Sequence, residues 1–390
     1  MSTRTEPLRV AVDARPLDID FLRTQGIGRV ADGVLRALAP EAARRRGELL
    51  LMRSGGEGGS AYGTSPGAGV AQARQRTLRR PPVPQRFADL PEQVLMPIDL
   101  RRSGAHVYHA LSIYRLALAP GIPSVLTVYD VIPLMWPERY LRTGLVHRML
   151  YSAARRGDWL IAISEAARRD VIEHLQMDPE RVEVILLAAD ERYRPVDPAP
   201  ALARLGVPSP YLLYVGGLAN DDPRKGVREL IDGYAEWWRA GARAETLVLA
   251  GRLGPAGAPL VEHARRTGAP IHFTDFVPEE DMPGLYSGAS CLVTASRYEG
   301  FGLPALEAVA CGTPVVGYQV GALPEAAGPG GLLVPDGRIE ALIEAVQSVC
   351  DDPQLRTRLS AEGRRHAAGF SWRKNAEKTW DVYERAAGRR

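Results

Sequence analysis

The sequence predicts an α/β protein built from two doubly wound parallel sheets. Three observations carry this expectation. Short apolar runs alternate with amphipathic segments from end to end, the pattern of parallel strands with helices on both faces. A proline-rich stretch at 194–210, holding Pro195, Pro198, Pro200, Pro208 and Pro210, splits the runs into two sets. A chain of 390 residues is long enough for two separate cores.

The first set of strands is read at 8–14, 49–52, 107–111, 124–128, 160–163 and 182–187. The second is read at 211–215, 246–250, 271–276, 291–295, 314–317 and 331–334. Between them lie helical periodicities. Val227, Leu230, Ile231, Tyr234 and Trp237 advance by three, one, three and three, which keeps them on one helical face. The stretch 194–210 reads as a linker with a short helical segment at 199–205. The expected domains are therefore 1–200 and 201–370. A final helix is expected over 371–387, with Ser371 as its N-cap. The Gly/Ser-rich segment 54–69 and the Arg/Pro-rich segment 78–85 together read as one long mobile stretch, either an acceptor-side loop or plain disorder.

Composition narrows the class. Hydrophobic content of 45% and charged content of 24% are ordinary for a globular protein. The N-terminus has no apolar signal region, and no apolar run approaches a membrane span. Cys291, Cys311 and Cys350 have no metal-ligand spacing and read as reduced core residues of a cytoplasmic protein. Residues 1–200 hold 28 Lys+Arg against 23 Asp+Glu, and the remainder 21 against 23. So small an excess, without basic–aromatic interleaving, argues against nucleic-acid binding. With only three lysines among 49 basic residues, a lysine at Lys225 stands out.

The most informative run is Ser296 to Glu307, in which two carboxylates lie eight positions apart across a glycine-rich turn. An apolar strand enters it. Pro304 suits a first helical position, where its missing N–H costs nothing. The N–H groups of Gly300, Phe301, Gly302 and Leu303 then lie at or just before a helix N-terminus, where an anion is favoured. Glu299 sits in the turn and Glu307 about one helical turn inside. A nucleotide-sugar, with phosphate between two hydroxyl-bearing ends, suits this layout.

A second motif pairs a strand ending in Gly216-Gly217 with Asp222-Pro223-Arg224-Lys225-Gly226 before a helix. Arginine offers a planar fork and lysine a point charge for phosphate oxygens. A solvated Arg–Lys pair is the other reading of this turn. In the first half, Gly26-Ile27-Gly28-Arg29-Val30-Ala31 fits a Gly-x-Gly-x-x-Ala pattern. Dinucleotide binding needs those glycines directly after the first strand. Here Arg15 to Gln25 intervene, which speaks against a dehydrogenase. Asp18-Ile19-Asp20 mimics an Asp-x-Asp metal motif but lies in that intervening loop, so no metal is expected. His109 and Asp130 follow strands of the first domain, where ligands of open parallel sheets bind. They are candidates for the acceptor side. A satisfied interior histidine is the other reading of His109. The segment 142–156 carries Arg142, His147, Arg148, Arg155 and Arg156 beside Leu145, Met149, Leu150 and Tyr151. It is either a face for an anionic membrane surface at the inner membrane or a packed helix with a solvated side.

The run from Ser296 to Glu307 resembles the Glu-x7-Glu signature of the retaining glycosyltransferases of family 4. The Pro-Arg-Lys element, the opening Val12-Asp13-Ala14-Arg15 with its later glycine loop, and the tail helix are similar to the same family. The resemblance implies the GT-B fold: two Rossmann-like domains facing a cleft, with the last helix (371–390) crossing back to the first. It implies transfer of a sugar, mannose favoured, from a UDP-sugar or GDP-sugar to a hydroxyl of a glycan, lipid-linked or small-molecule acceptor. Retention would need neither metal nor cofactor. By position, Glu299 and the amides of Phe301, Gly302 and Leu303 would hold the donor sugar, and Glu307 the ribose. Lys225 and Arg224 would neutralise the diphosphate, with Gly28 N–H and the shape of Gly26 approaching from the other domain. Gly251 and Val277 would lie in donor-side loops, Val277 near the base. Two features depart from the family pattern: Gly217 stands where many relatives carry arginine, and Tyr129 precedes Asp130 where many carry histidine. A sugar-nucleotide epimerase and a silent nucleotide-sugar-binding module are the alternatives.

Overall fold

The computed structural model describes residues 6–18, 26–54, 74–78, 89–113, 116–140, 145–219, 221–241, 243–254 and 257–388. The chain forms two compact units, Met1–Leu187 with Trp372–Arg390, and Ala188–Ser371. The division falls at 187/188 rather than the expected 200/201. The reason lies in what 188–200 touch. Arg192 reaches Glu279, the edge of Tyr193 meets Tyr286, and Val196 N–H donates to Ser287 Oγ. Those partners all belong to the second unit.

The first unit holds a seven-stranded parallel sheet of order β3-β2-β1-β4-β5-β6-β7. Its strands are β1 (Arg9–Asp13), β2 (Glu48–Ser54), β3 (Arg74–Leu78), β4 (Val107–Ala110), β5 (Ser124–Val128), β6 (Trp159–Ala162) and β7 (Val182–Val184). Strand β3 was not anticipated. It reads Arg-Gln-Arg-Thr-Leu and, among the described residues, pairs only with β2. An edge strand needs no apolar alternation, and charge on an edge discourages pairing between molecules. The rest of the segments expected to be mobile, 55–69 and 79–85, lies outside the described residues.

The second unit holds a six-stranded parallel sheet of order β10-β9-β8-β11-β12-β13. Its strands are β8 (Tyr211–Val215), β9 (Thr246–Ala250), β10 (Ile271–Asp275), β11 (Cys291–Thr294), β12 (Val315–Tyr318) and β13 (Gly331–Val334). Tyr211, Leu212, Leu213 and Tyr214 are all buried, as expected of a central strand covered on both faces. The helix Val227–Gly241 turns Val227, Leu230, Ile231, Tyr234 and Trp237 inward, as their spacing requires. Each fully buried side chain of this kind contributes about 1.5–3 kcal/mol.

In both sheets the strand order reverses beside the first strand, between β1 and β4 and between β8 and β11. Open α/β sheets bind ligands beyond the strand ends at such a switch point. The last helix, Trp372–Ala386, belongs to the first unit. Arg45 there pairs with Asp381 and Glu384, and Asn375 donates to Leu186 O. Gly33 lies against it, since a Cβ at that position would fall 2.6 Å from the Trp372 ring. No helix among the described residues is long and apolar enough to cross a membrane.

Candidate functional site

The switch point of the second sheet gathers most of the expected residues. Strand β8 ends at Val215 and β11 at Thr294, side by side. After β8, Asp222 caps the turn Pro223–Lys225 by accepting from Arg224 N–H. Gly226 closes that turn at φ +61, and a Cβ there would lie 2.2 Å from Ala295 O. Only glycine lets this turn rest on the end of β11. After β11, Gly302 caps the helix Leu303–Ala310 at φ +86, with Pro304 in its first turn. The two turns therefore meet.

Lys225 Nζ donates to Glu299 Oε1 at 2.7 Å. Arg224 ties the turns together. Its Nη1 donates to Tyr298 O at 2.7 Å, its Nη2 reaches Asp222, and its carbonyl accepts from Arg297 N–H. Burial pushes the Glu299 carboxyl up, but the charge and hydrogen bond of Lys225 and the charge of Arg224 outweigh it and hold the group low. Glu299 is thus a carboxylate, half-buried against an ammonium. The Arg224 guanidinium, expected at the diphosphate, also braces the turn that sets Lys225 beside Glu299.

Glu307 is 1% exposed, and its Oε2 accepts from the Tyr286 hydroxyl at 2.9 Å. Gly217 is exposed, whereas Gly216 continues the sheet by donating to Ala250 O. Gly251 is held at φ +152, and a Cβ there would fall 1.8 Å from Gly216 O, so the turns after β8 and β9 also pack directly. Val277 follows β10 and is buried, next to an exposed Phe276 over which the Arg252 guanidinium lies at 5.4 Å. Gly300 and Phe301 are buried, Phe301 with its ring edge toward Phe370. The expected donor residues of the second unit thus follow the carboxyl ends of β8, β9, β10 and β11.

Sequence reasoning missed Tyr286 and the part played by Tyr298 O. The first is 21 positions from Glu307 and meets it only through folding. The second is a backbone atom with no sequence signal.

The candidates of the first unit stand differently. Gly26 and Gly28 open the helix Gly26–Arg44 and so lie in its first turn rather than in a loop. Asp130 Oδ1 accepts from Ile132 N–H at 3.0 Å, shaping the turn after β5. His109 takes the interior place, not the acceptor-side one. It is 1% exposed, with Nδ1 2.6 Å from the Tyr383 hydroxyl and Nε2 2.9 Å from Thr127 Oγ1. Both ring nitrogens are satisfied, and burial lowers its pKa to about 3. Beside it, Asp13 receives Arg15 Nε at 2.8 Å and the Tyr108 hydroxyl at 3.0 Å, all three residues buried. The side chain of Asp18 and all of Asp20 lie outside the described residues, as do Arg142 and the side chain of His147. In the helix Leu145–Ala154, Leu150 and Tyr151 are buried while Arg148 and Met149 are exposed.

Comparison with known proteins agrees with this division. The profile described as Glycosyl transferases group 1 matches residues 204–366, and that of Glycosyltransferase Family 4 matches 31–192. The chain is similar to O-antigen chain mannosyltransferase B of Escherichia coli, 30% identical over 297 residues, covering 73% of this chain and 76% of that one. It is 35% identical over 244 residues to the D-inositol 3-phosphate glycosyltransferase of Streptomyces bingchenggensis (strain BCW-1), over 59% of this chain and about half (53%) of that enzyme. In fold it is similar to sucrose-phosphate synthase from Thermosynechococcus elongatus, at TM-score 0.75 and 22% identity over 97% of this chain and 98% of the other. The two parallel-sheet units are those of the GT-B fold.

Proposed function

The chain belongs to glycosyltransferase family 4, and from that premise we propose that it transfers a hexose, mannose favoured, from a nucleoside diphosphate sugar to a hydroxyl acceptor with retention. The contact between Lys225 and Glu299 carries this reading. A nucleotide-sugar needs a cation for its diphosphate and, a few ångströms away, an acceptor for its sugar hydroxyls. Lys225 and Glu299 are that pair.

The reaction breaks the bond between the anomeric carbon and the diphosphate oxygen, and the electron pair leaves with the diphosphate. The acceptor hydroxyl forms the new bond from the same face, and its proton passes to a departing phosphate oxygen. Negative charge grows on the diphosphate. Lys225 and the amides at the start of Leu303–Ala310 oppose that growth from fixed positions. Glu299 orients the sugar, and Glu307 holds the ribose through its remaining acceptor capacity. The donor is a UDP-sugar or GDP-sugar, with no metal or cofactor required. The acceptor is a glycan, lipid-linked or small-molecule hydroxyl.

Mannose rests on the name of the Escherichia coli relative. The relatives named above are transferases, which favours neither the epimerase nor the silent binding module. The test is direct. The protein is incubated with UDP- and GDP-sugars and an acceptor panel, with and without EDTA, and the anomeric configuration of the product is read by NMR. Inverted product would end the claim of retention. Loss of turnover in EDTA would end metal independence. An isomerised donor without acceptor would restore the epimerase.

A further inference from the structure

Glu307 is a carboxylate in an apolar interior. It is almost completely buried, on a helix whose neighbouring positions Ala305, Leu306, Ala308 and Val309 are buried and apolar. Burying a carboxylate costs free energy unless it is hydrogen-bonded. One such bond comes from the Tyr286 hydroxyl, which donates to Glu307 Oε2 at 2.9 Å. Tyr286 is itself fully buried.

Tyr286 is held from three sides. It lies on the short helix Met282–Ser287, just before β11. Its backbone carbonyl accepts from the Thr313 hydroxyl. Thr313 N–H in turn donates to Ala308 O, near the end of the helix that carries Glu307. The carbonyl of the preceding residue, Leu285, accepts from the Tyr211 hydroxyl at 2.6 Å, which ties the short helix to the start of β8. The Tyr193 and Tyr286 rings meet edge to face, with centroids 5.9 Å apart. Tyr193, Tyr211 and Thr313 are all buried.

A phenol anchored at its backbone and its ring has little freedom at its hydroxyl. It fixes where Oε2 lies, and with it the plane of the carboxylate. A carboxylate has about four lone-pair sites, and this bond uses one of them. Glu307 therefore keeps acceptor sites to offer a ligand. Without the phenol, the broad terminal torsion of a glutamate would let the group turn. Binding would then have to order it, which weakens affinity.

Resting on the reading that Glu307 takes the ribose, we propose that Tyr286 is a positioning residue for that sugar. It acts through Glu307. Its hydroxyl aims the carboxylate at the ribose hydroxyls and does not touch the substrate.

The experiment compares wild type, Tyr286→Phe, Glu307→Ala and the double variant. Each is titrated with UDP, GDP and their 2′,3′-dideoxy analogues, and its melting temperature is recorded. Wild type should prefer the ribonucleotide of its own base over the dideoxy analogue by about tenfold. Tyr286→Phe should lower that preference about fivefold by weakening the ribonucleotide alone. Glu307→Ala should abolish it, and adding Tyr286→Phe should change nothing further, because the two act as one unit. A role confined to packing would lower the melting temperature or weaken both nucleotides alike, and would leave the preference intact. Tyr193→Leu keeps the hydroxyl but removes the ring beside it. It should lower the preference by a smaller factor, and it carries the test should Tyr286→Phe not fold.

An unchanged preference in Tyr286→Phe, where Glu307→Ala has lost it, would overturn this inference alone. Equal binding of the ribonucleotide and its dideoxy analogue by wild type would remove Glu307 from the ribose, and Tyr286 with it. If wild type binds neither UDP nor GDP, the glycosyl-donor reading fails and takes this inference along.

Discussion

The two sheets reverse their order at the same place, yet the two switch points are furnished in opposite ways. In the second unit the ends of β8 and β11 hold a half-buried ammonium–carboxylate pair, Lys225 and Glu299, about a fifth exposed on each side. In the first unit the ends of β1 and β4 hold Asp13, Arg15, Tyr108 and His109, all almost completely buried and bonded to one another or to Thr127 and Tyr383. One topology thus supports two electrostatic outcomes. An ion pair with access to solvent can exchange partners for a ligand. A buried one cannot, because separating it leaves an uncompensated charge in a poor solvent.

The contrast breaks most visibly at Asp13. Asp13→Ala leaves the Arg15 guanidinium buried without its carboxylate and should cost about 3–5 kcal/mol of stability in urea denaturation. A loss under 1 kcal/mol would show the first switch point to be as adaptable as the second. Lys225→Ala should do the reverse. Transfer falls by about 10²–10³-fold while the circular dichroism spectrum is kept. Turnover at the wild-type rate would remove the diphosphate clamp.

His109 sharpens the comparison through pH. Its pKa is lowered from 6.5 to about 3, so the folded chain binds fewer protons than the unfolded chain between those values. The stability it confers is present above pH 6.5 and is lost as pH falls through that window, by about 1.4 kcal/mol per unit. His109→Gln should flatten the decline of melting temperature between pH 6.5 and 4; an unchanged slope would place the acid sensitivity elsewhere. The smallest expected effect is at Glu307. Glu307→Ala should weaken nucleotide binding about tenfold, as expected for one hydrogen-bonded anchor to ribose. Equal affinity in an isothermal titration would assign Glu307 to Tyr286 alone.

Much of the fold was readable because its signals are local. Twelve strands were placed from apolar runs, and the helix Val227–Gly241 from one face of five residues. Strand β3 escaped because an edge strand of arginine, glutamine and threonine carries no burial pattern. The domain boundary was misplaced because proline content marks an irregular path but not the surface on which that path packs. At the site, the glycine turn and the Pro-Arg-Lys element were legible as motifs, since a close approach needs Gly226 and a helix start suits Pro304.

What the sequence determined by itself was the class of the molecule and the make-up of its two motif turns, Pro223–Lys225 and Ser296–Glu307. Turn glycines, a first-turn proline and alternating apolar runs act over a few neighbouring residues, where the chain's own geometry decides. Only the tertiary structure decided how those groups pair. It set Lys225 against Glu299, turned Arg224 into a strut on Tyr298 and brought Tyr286 to Glu307. It also enclosed His109 between Tyr383 and Thr127. Each of these contacts joins residues 18 to 274 positions apart. Their strength depends on burial and distance, which no linear pattern encodes.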